Sequence, residues 1–530
     1  AQAAFENAAE LAQRLAQSAR RQDLKYAATL ALITSRSKQA ECFLRQGQYA
    51  TAEASVAAGL AQADHSEDRA VLAARGNLLL QRSQLQRQQG RLPAAAQDIS
   101  QAQELFERIA SSEGDVTGAS LRKECRVSMA LSCDQLALLE EQLGQLDRAE
   151  RASQRAIAIW SDLYADAADM PLYLEGLASS HVLLSNIQRG FGRDSESSAR
   201  QAIKAYEALV LARPEVPKYQ FLLATELINL AYLQLRSGHV AAARTLAIDA
   251  TNKCVRLANE YPEFIDYADA DASSRSVLGE VLRDAGEYEL AGGKLDESIE
   301  LFTERVAQFA DVPSYRERLA ESLNVRAQVV QLVDDSNKAR DLWTRALDVL
   351  KSAPNEPSSD SSMSAHRGDL IAWLHLHLAD DAWSRDDKEA AASYYQAAIK
   401  QRETLPKSPD LQHHFGWLLT YGLSPESRQP QRAVEFFRQA LASAPTNADY
   451  WFDLAFAQTQ AGQWEEAARS VEQGQKNSTA PRGQELLIRS VIERHHGRAA
   501  EQLFLQGSEL LQKVSPGNPR LLRLQRLAKP

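Results

Sequence analysis

Four side chains set between two tryptophans are the best place in this sequence to look for chemistry. His375, His377, Asp380 and Asp381 lie between Trp373 and Trp383, and imidazole with carboxylate is the donor set of metal sites and of general acid–base work. On a helix His377 and Asp381 share a face while His375 points elsewhere, so two ligands converge where a structural zinc wants four. The pairs His413-His414 and His495-His496 are weaker, because neighbours on a helix diverge by about 100°. His366-Arg367-Gly368-Asp369-Leu370 carries the His, Arg and Asp of a phosphoryl-transfer loop, but a glycine interrupts them. No metal-binding Asn or Asp-Phe-Gly follows at a suitable distance. Ser35-Arg-Ser-Lys38 has the spacing of an acylated serine and its lysine, without the partner motifs of that chemistry. Gly190-Phe-Gly192 opens like a dinucleotide loop, but the third glycine and the preceding strand are missing, and no Gly-x-x-x-x-Gly-Lys loop exists. The expectation is no catalytic residue, no cofactor site and no metal site.

The elements that would position such residues are set by a repeat. Gly144, Gly190, Gly238 and Gly286 are each followed 29 residues later by Tyr173, Tyr219, Tyr267 and Tyr315. Turns fall at Gly47, Gly90, Gly144, Gly190, Gly238, Gly286, Asp334, Asp386, Arg428, Gly462 and Gly497. Five residues past nearly every turn stands a small residue (Ala52, Ala95, Ala149, Ser195, Ala243, Ala291, Ala339, Ala391, Ala433, Ala467), and another follows seven further on. Small residues at fixed offsets let two antiparallel helices approach closely, and fixed-period self-similarity means stacked repeats. The pattern predicts an all-α solenoid of about eleven helix pairs, the last atypical as an end cap is.

Composition narrows the partners. The 530 residues are 44% hydrophobic, with seven Trp and fifteen Tyr, which is enough for a continuous inter-helix core. A net charge of −10 argues against nucleic acid, the basic stretch Arg520 to Lys529 being a local exception. No run of 18 apolar residues exists, so membrane insertion by this chain is not expected. Cys42, Cys125, Cys133 and Cys254 lack Cys-x-x-Cys spacing and read as buried thiols. The chain opens Ala-Gln-Ala-Ala-Phe without Met, as a processed product or a piece of a longer protein does.

Turn spacing divides the array. The last turns are 34 and 35 residues apart and the middle ones 46 to 48, so each middle unit carries extra residues, about two helical turns on each arm. Between the two classes lies a Pro/Ser-rich stretch. The expected domains are a long-unit array over 1–351, a linker or loop over 352–365, and a short-unit array over 366–530 ending in a capping helix.

The clearest unit, Asn447 to Gly474, resembles the tetratricopeptide (TPR) repeats: Trp451, Leu454, Ala455, Gly462, Ala467 and Gly474 stand at the consensus places, and Ala433, Phe437, Ala440 and Pro445 continue the order upstream. Gln458 departs, where an aromatic is usual. The resemblance runs over nearly the whole chain. It implies a superhelix whose first helices line a concave groove that takes a protein or peptide segment. A carboxylate clamp of the Lys-x-x-x-Asn kind is not expected, since Lys351 and Asn355 fall in the Pro/Ser stretch. The long units have their own likeness. Pro217-Lys-Tyr219 and Pro313-Ser-Tyr315-Arg316, with Leu319 and Ala320, resemble segments of the TPR regions of bacterial serine/threonine protein kinases, planctomycete ones among them. Ile265 departs from that pattern, and the Ala-rich opening with Phe5 resembles the stretch beyond the membrane span of such proteins.

The aromatics concentrate late in the chain, mostly as inter-helix core. Tyr232, Phe452 and Phe456 are the groove candidates, placed to anchor a peptide helix or strand. The first reading is therefore a non-catalytic protein-binding scaffold, the sensory or regulatory region of a bacterial kinase. A second is an assembly module that self-associates through its ends, with Leu521, Leu522, Leu524 and Leu527 packing on another chain instead of capping their own. A third, an enzyme built on the His/Asp cluster, rests on the residues met first.

Overall fold

The computed structural model describes residues 2–529 apart from 19–20, 46–47, 65, 112–115, 191–192, 334, 353–360, 406–407 and 479–481. Helices account for nearly all of it. They run α1 (Gln2–Ser18), α2 (Gln22–Arg45), α3 (Tyr49–Ala63), α4 (Arg69–Gln88), α5 (Leu92–Ala110), α6 (Val116–Gln142), α7 (Leu146–Asp166) and α8 (Pro171–Gly190). Next come α9 (Glu196–Ala212), α10 (Pro217–Arg236), α11 (Val240–Glu260), α12 (Ile265–Asp284), α13 (Tyr288–Gln308), α14 (Pro313–Leu332), α15 (Ser336–Lys351) and α16 (Ser361–Ser384). The last are α17 (Lys388–Glu403), α18 (Pro409–Tyr421), α19 (Pro430–Ser443), α20 (Ala448–Gln460), α21 (Trp464–Lys476), α22 (Gly483–His495), α23 (Glu501–Val514) and α24 (Pro519–Ala528). No strand occurs among the described residues. The protein is an all-α solenoid, and each expected turn that falls among the described residues, from Gly90 to Gly497, joins an even-numbered helix to the next odd one.

Turn chemistry explains the beat. Gly238 has φ 79°, its N–H donates to Leu235 O (3.0 Å), and the following His239 N–H reaches back to Gln234 O (2.8 Å). That left-handed stop satisfies carbonyls the helix end would otherwise strand. Asp386 makes the same turn at φ 60° without being glycine, a role a short polar side chain tolerates.

The small residues do the packing expected of them. Ala95, Ala149, Ala243, Ala339 and Ala433 and their partners Ala102, Ala156, Ala250, Ala346 and Ala440 are all buried. At Gly474 the approach is closer still: a Cβ there would lie 2.6 Å from Phe452 Cε1, so only hydrogen fits. The long units lengthen both arms, as anticipated. Helices α10 and α11 have 20 and 21 residues where α20 and α21 have 13 each. The tyrosine of the beat sits two residues after the helix start, and Tyr315 Oη donates to Asp269 Oδ2 (2.7 Å) one unit earlier. It ties successive units together, which is a physical reason for its period.

The chain divides into two compact units, Ala1–Gln188 with Lys204–Leu209, and Arg189–Ile203 with Val210–Pro530. In the first, Trp160 fills the space over Gly176 and stacks near Tyr173 (centroids 6.4 Å), while Arg82 grips Asp98 with two bonds of 2.7 Å. The second unit spans both sides of the 352–365 segment. Of that expected linker, 353–360 lie outside the described residues, and helix α16 begins at Ser361. The carboxylate-clamp residue Asn355 falls in the same gap. Among the described residues no helix is long and apolar enough to cross a membrane.

Candidate functional site

In the second unit the even-numbered helices α10 to α20 turn one face toward a common channel. They enclose a chamber of about 460 Å³. Tyr232 and Arg236 stand on α10, Glu280 and Arg283 on α12, Gln328 on α14, Trp373 and His377 on α16, and His413, His414 and Trp417 on α18. Asp449 and Tyr450 come from α20, and Arg520 and Arg523 enter from α24.

The polar groups of this wall are organised around buried acids. Asp453, wholly buried on α20, accepts from Tyr421 Oη (2.7 Å), Gln484 Nε2 (2.8 Å), His413 Nε2 (2.8 Å) and Arg520. Burial pushes its carboxyl up, but the Arg520 guanidinium and the His413 bond outweigh it and hold it below the ordinary range. Asp369 pairs with Arg402 and with His414 Nδ1 (3.0 Å). Burial opposes the charge there too, yet Arg402 and His414 bring the carboxyl down to about 2. Asp380 takes the Tyr395 hydroxyl and the Arg523 guanidinium. Arg523 also lies over the Trp417 ring (5.3 Å), as Arg402 does over Trp373 (5.3 Å).

His377 and His413 are buried, and burial favours their neutral forms. His377 stacks on Trp343 (centroids 5.1 Å, 7°), with its Nε2 3.2 Å from Gln328 Nε2. Burial first, then Arg523 and Arg283, bring it down to about 3. His413 stacks on Tyr450 (4.1 Å), and burial brings it down to about 4 despite Asp453. The His/Asp cluster therefore disperses. His375 packs near Tyr394 (5.9 Å), His377 enters the chamber, Asp380 meets Tyr395, and Asp381 is held by Arg340 (2.7 Å) and Arg385 (3.1 Å). Of the remaining histidine pair, His495 lies flat on Trp464 (3.8 Å). Among the described residues no three His, Cys, Asp or Glu side chains gather as a metal would need.

The three groove candidates separate. Tyr232 remains 36% exposed on the chamber wall, one turn from exposed Arg236. Phe452 and Phe456 do not have the expected exposure. Phe452 is wedged against Gly474 in the inter-helix core, and Phe456 stacks on Tyr421 (5.1 Å). Both rings are buried. A position one turn along a helix says which residues share a face, and here that face is spent on packing.

The last of the expected repeats can now be set against known ones. Residues 426–489 match the Tetratricopeptide repeat family. The match covers the clearest TPR unit, and its departure from consensus has a local cause: buried Gln458 accepts from Ser470 Oγ (2.7 Å), a polar pair where an aromatic would meet a hydroxyl. The chain is also similar to several solved structures. Yeast Tom70 is 12% identical over 91% of this chain and 98% of that one, with a TM-score of 0.41. The apo quorum sensor NprR from B. thuringiensis is 13% identical over 70% and 88%, with a TM-score of 0.45. BtubC from P. vanneervenii is 18% identical over 49% and 91%, with a TM-score of 0.36. These likenesses concern the fold. No curated protein matches the chain.

What sequence reasoning missed is the route of the array's tail. The basic residues and the leucine stripe of 520–527 were both visible, but as separate features. In the structure they are two faces of α24. Leu524 is buried, Leu521 and Leu527 pack on the same core cluster, and Arg520 and Arg523 face the acids of the channel. Three of the four leucines of the stripe, Leu521, Leu524 and Leu527, thus pack within their own chain.

Proposed function

We propose that this chain is a non-catalytic, TPR-type scaffold that binds a protein or peptide segment along the channel of its second unit. The supporting observation is the wall itself: first helices of successive pairs bring aromatic rings, guanidinium groups and buried carboxylates to one channel, and none of these groups forms a reactive constellation. Aromatic and arginine side chains at such a wall are the usual anchors of recognition.

Tyr232 and Arg236 are the residues to test, because both are exposed and their loss leaves the core intact. For a partner captured by the full chain, Tyr232→Ala with Arg236→Ala should weaken affinity about 10-fold or more, at unchanged helicity. Unchanged affinity by calorimetry would refute the channel as the binding site.

The finer reading, the regulatory region of a bacterial serine/threonine kinase, is carried by the resemblance around Tyr219 and Tyr315 alone. Reading the coding sequence ahead of Ala1 tests it: a kinase domain there supports the tether, and an unrelated domain refutes it.

A further inference from the structure

Helix α24 touches the array in an unusual way for a terminal element. Asn518 caps it by accepting from Leu521 N–H (3.1 Å), while its Nδ2 donates to Asp284 Oδ2 (2.9 Å) at the end of α12. Arg520 pairs with Asp453 of α20, and Arg523 pairs with Asp380 of α16 and covers Trp417 of α18. These contacts reach first helices of four different pairs, up to 234 residues away in sequence. The helix also packs on α22, where Arg494 donates to its Ala528 O (2.9 Å) as at an end cap, but its own arginines reach past that pair.

The receiving groups are built for cations. Asp284, Asp380 and Asp453 are 1%, 4% and 0% exposed. A buried carboxylate without a paired cation is costly, so two of these acids form receptors for the guanidinium groups that now fill them. The channel also continues past α24 into the chamber, whose far wall carries Tyr232, Arg236 and Glu280. The ten residues of α24 therefore line the chamber and leave its volume open.

We propose, on the reading of the channel given above, that α24 is an intramolecular ligand held in place of an external one. The external partner is an amphipathic helix with two arginines three residues apart, leucines beside them, and extra length to fill the chamber. The arginines select it: Asp453 and Asp380 take its guanidinium groups, Trp417 lies flat beneath one of them, and the leucines replace Leu521 and Leu524 on the core. Acidic or phosphorylated peptides would set like charge against like and are rejected. The tether makes the device a threshold. A short linker holds α24 at an effective concentration on the order of 1 mM, so an α24 whose own intrinsic dissociation constant is about 10 μM weakens any external partner about 100-fold until that partner is abundant or longer than α24.

The test uses the full chain and a labelled peptide with the sequence of residues 516–529, read by fluorescence anisotropy. Arg520→Glu with Arg523→Glu sets acid against acid and releases α24. The peptide should bind this variant at least 10-fold more tightly than it binds the unaltered chain, and added salt should weaken the binding. Equal affinity for the two chains, at retained helicity, would overturn the proposal. Should the double variant lose helicity, Arg523→Gln alone carries the same comparison, with a smaller expected gain of about 3-fold or more. The result is separable from that of the channel reading. Failure of the peptide alongside a partner still sensitive to Tyr232 and Arg236 removes the intramolecular ligand and leaves the channel. A peptide that binds beside a partner indifferent to those residues removes the channel as the partner's site.

Discussion

Acidifying the protein below about pH 6.5 should destabilise it through two buried histidines. His377 and His413 have pKa values brought down to about 3 and about 4 from an ordinary 6.5, chiefly by burial. A group whose folded pKa lies below its unfolded one contributes stability that is complete above the unfolded value and lost as pH falls toward the folded value. The window is therefore from pH 6.5 down to about 4 for His413 and about 3 for His377. At about 1.4 kcal/mol per unit, the stretch from 6.5 to 4 is worth about 3 kcal/mol for each ring. Both rings lie where a proton is unwelcome. Around His377 stand Trp343, Trp373 and Gln328, with the fixed charges of Arg523 and Arg283 adding repulsion. Around His413, Arg520 and His414 oppose what Asp453 favours. Asp369 and Asp453, with carboxyls held below their usual range, contribute their own loss only at lower pH. Circular-dichroism melts should show the midpoint falling steadily below about pH 6.5, and His377→Gln with His413→Gln should flatten that slope. A midpoint constant from about pH 7 to about 4.5 would mean the rings are not buried neutral.

That neutrality also bears on what could be read in advance. The repeat was legible because it is local: Gly238 stops a helix, Ala243 and Ala250 let the next one approach, and both requirements recur at fixed offsets. Helix length was legible too, since extra residues between turns have nowhere to go except the two arms. The wall of the channel was not, for two reasons. Its acids find partners far along the chain, Asp453 from Arg520 and Asp284 from Asn518, and no spacing within one helix encodes such a meeting. Its aromatics also look alike in sequence whether they face the core or the channel. Phe452 is core because Gly474 in the next helix leaves room for it. Tyr232 stays at the wall beside Arg236. The same blindness applied to the histidines: His377 and Asp381 share a helical register, yet Gln328 and Trp343 meet the imidazole while Arg340 and Arg385 hold the carboxylate.

Replacing Asp453 by alanine should be the most damaging single change in the second unit. The carboxylate satisfies four donors from three helices, namely His413 and Tyr421 of α18, Gln484 of α22 and Arg520 of α24. Its removal strands a buried guanidinium and a buried imidazole together, for which a cost of about 3–5 kcal/mol is expected. An exposed pair such as Lys38 and Glu41 (2.9 Å) should by contrast be worth less than about 1 kcal/mol. The comparison that carries meaning is with Arg520→Ala. If the acid exists to receive an arginine, losing both should cost less than the sum of the single losses, because the double variant leaves neither charge unpaired. A coupling of about 1–3 kcal/mol in that cycle, measured by urea unfolding, is the expected result. Strict additivity would mean that His413, Tyr421 and Gln484 hold Asp453 by themselves, and that the tail arginine adds nothing to the fold it closes.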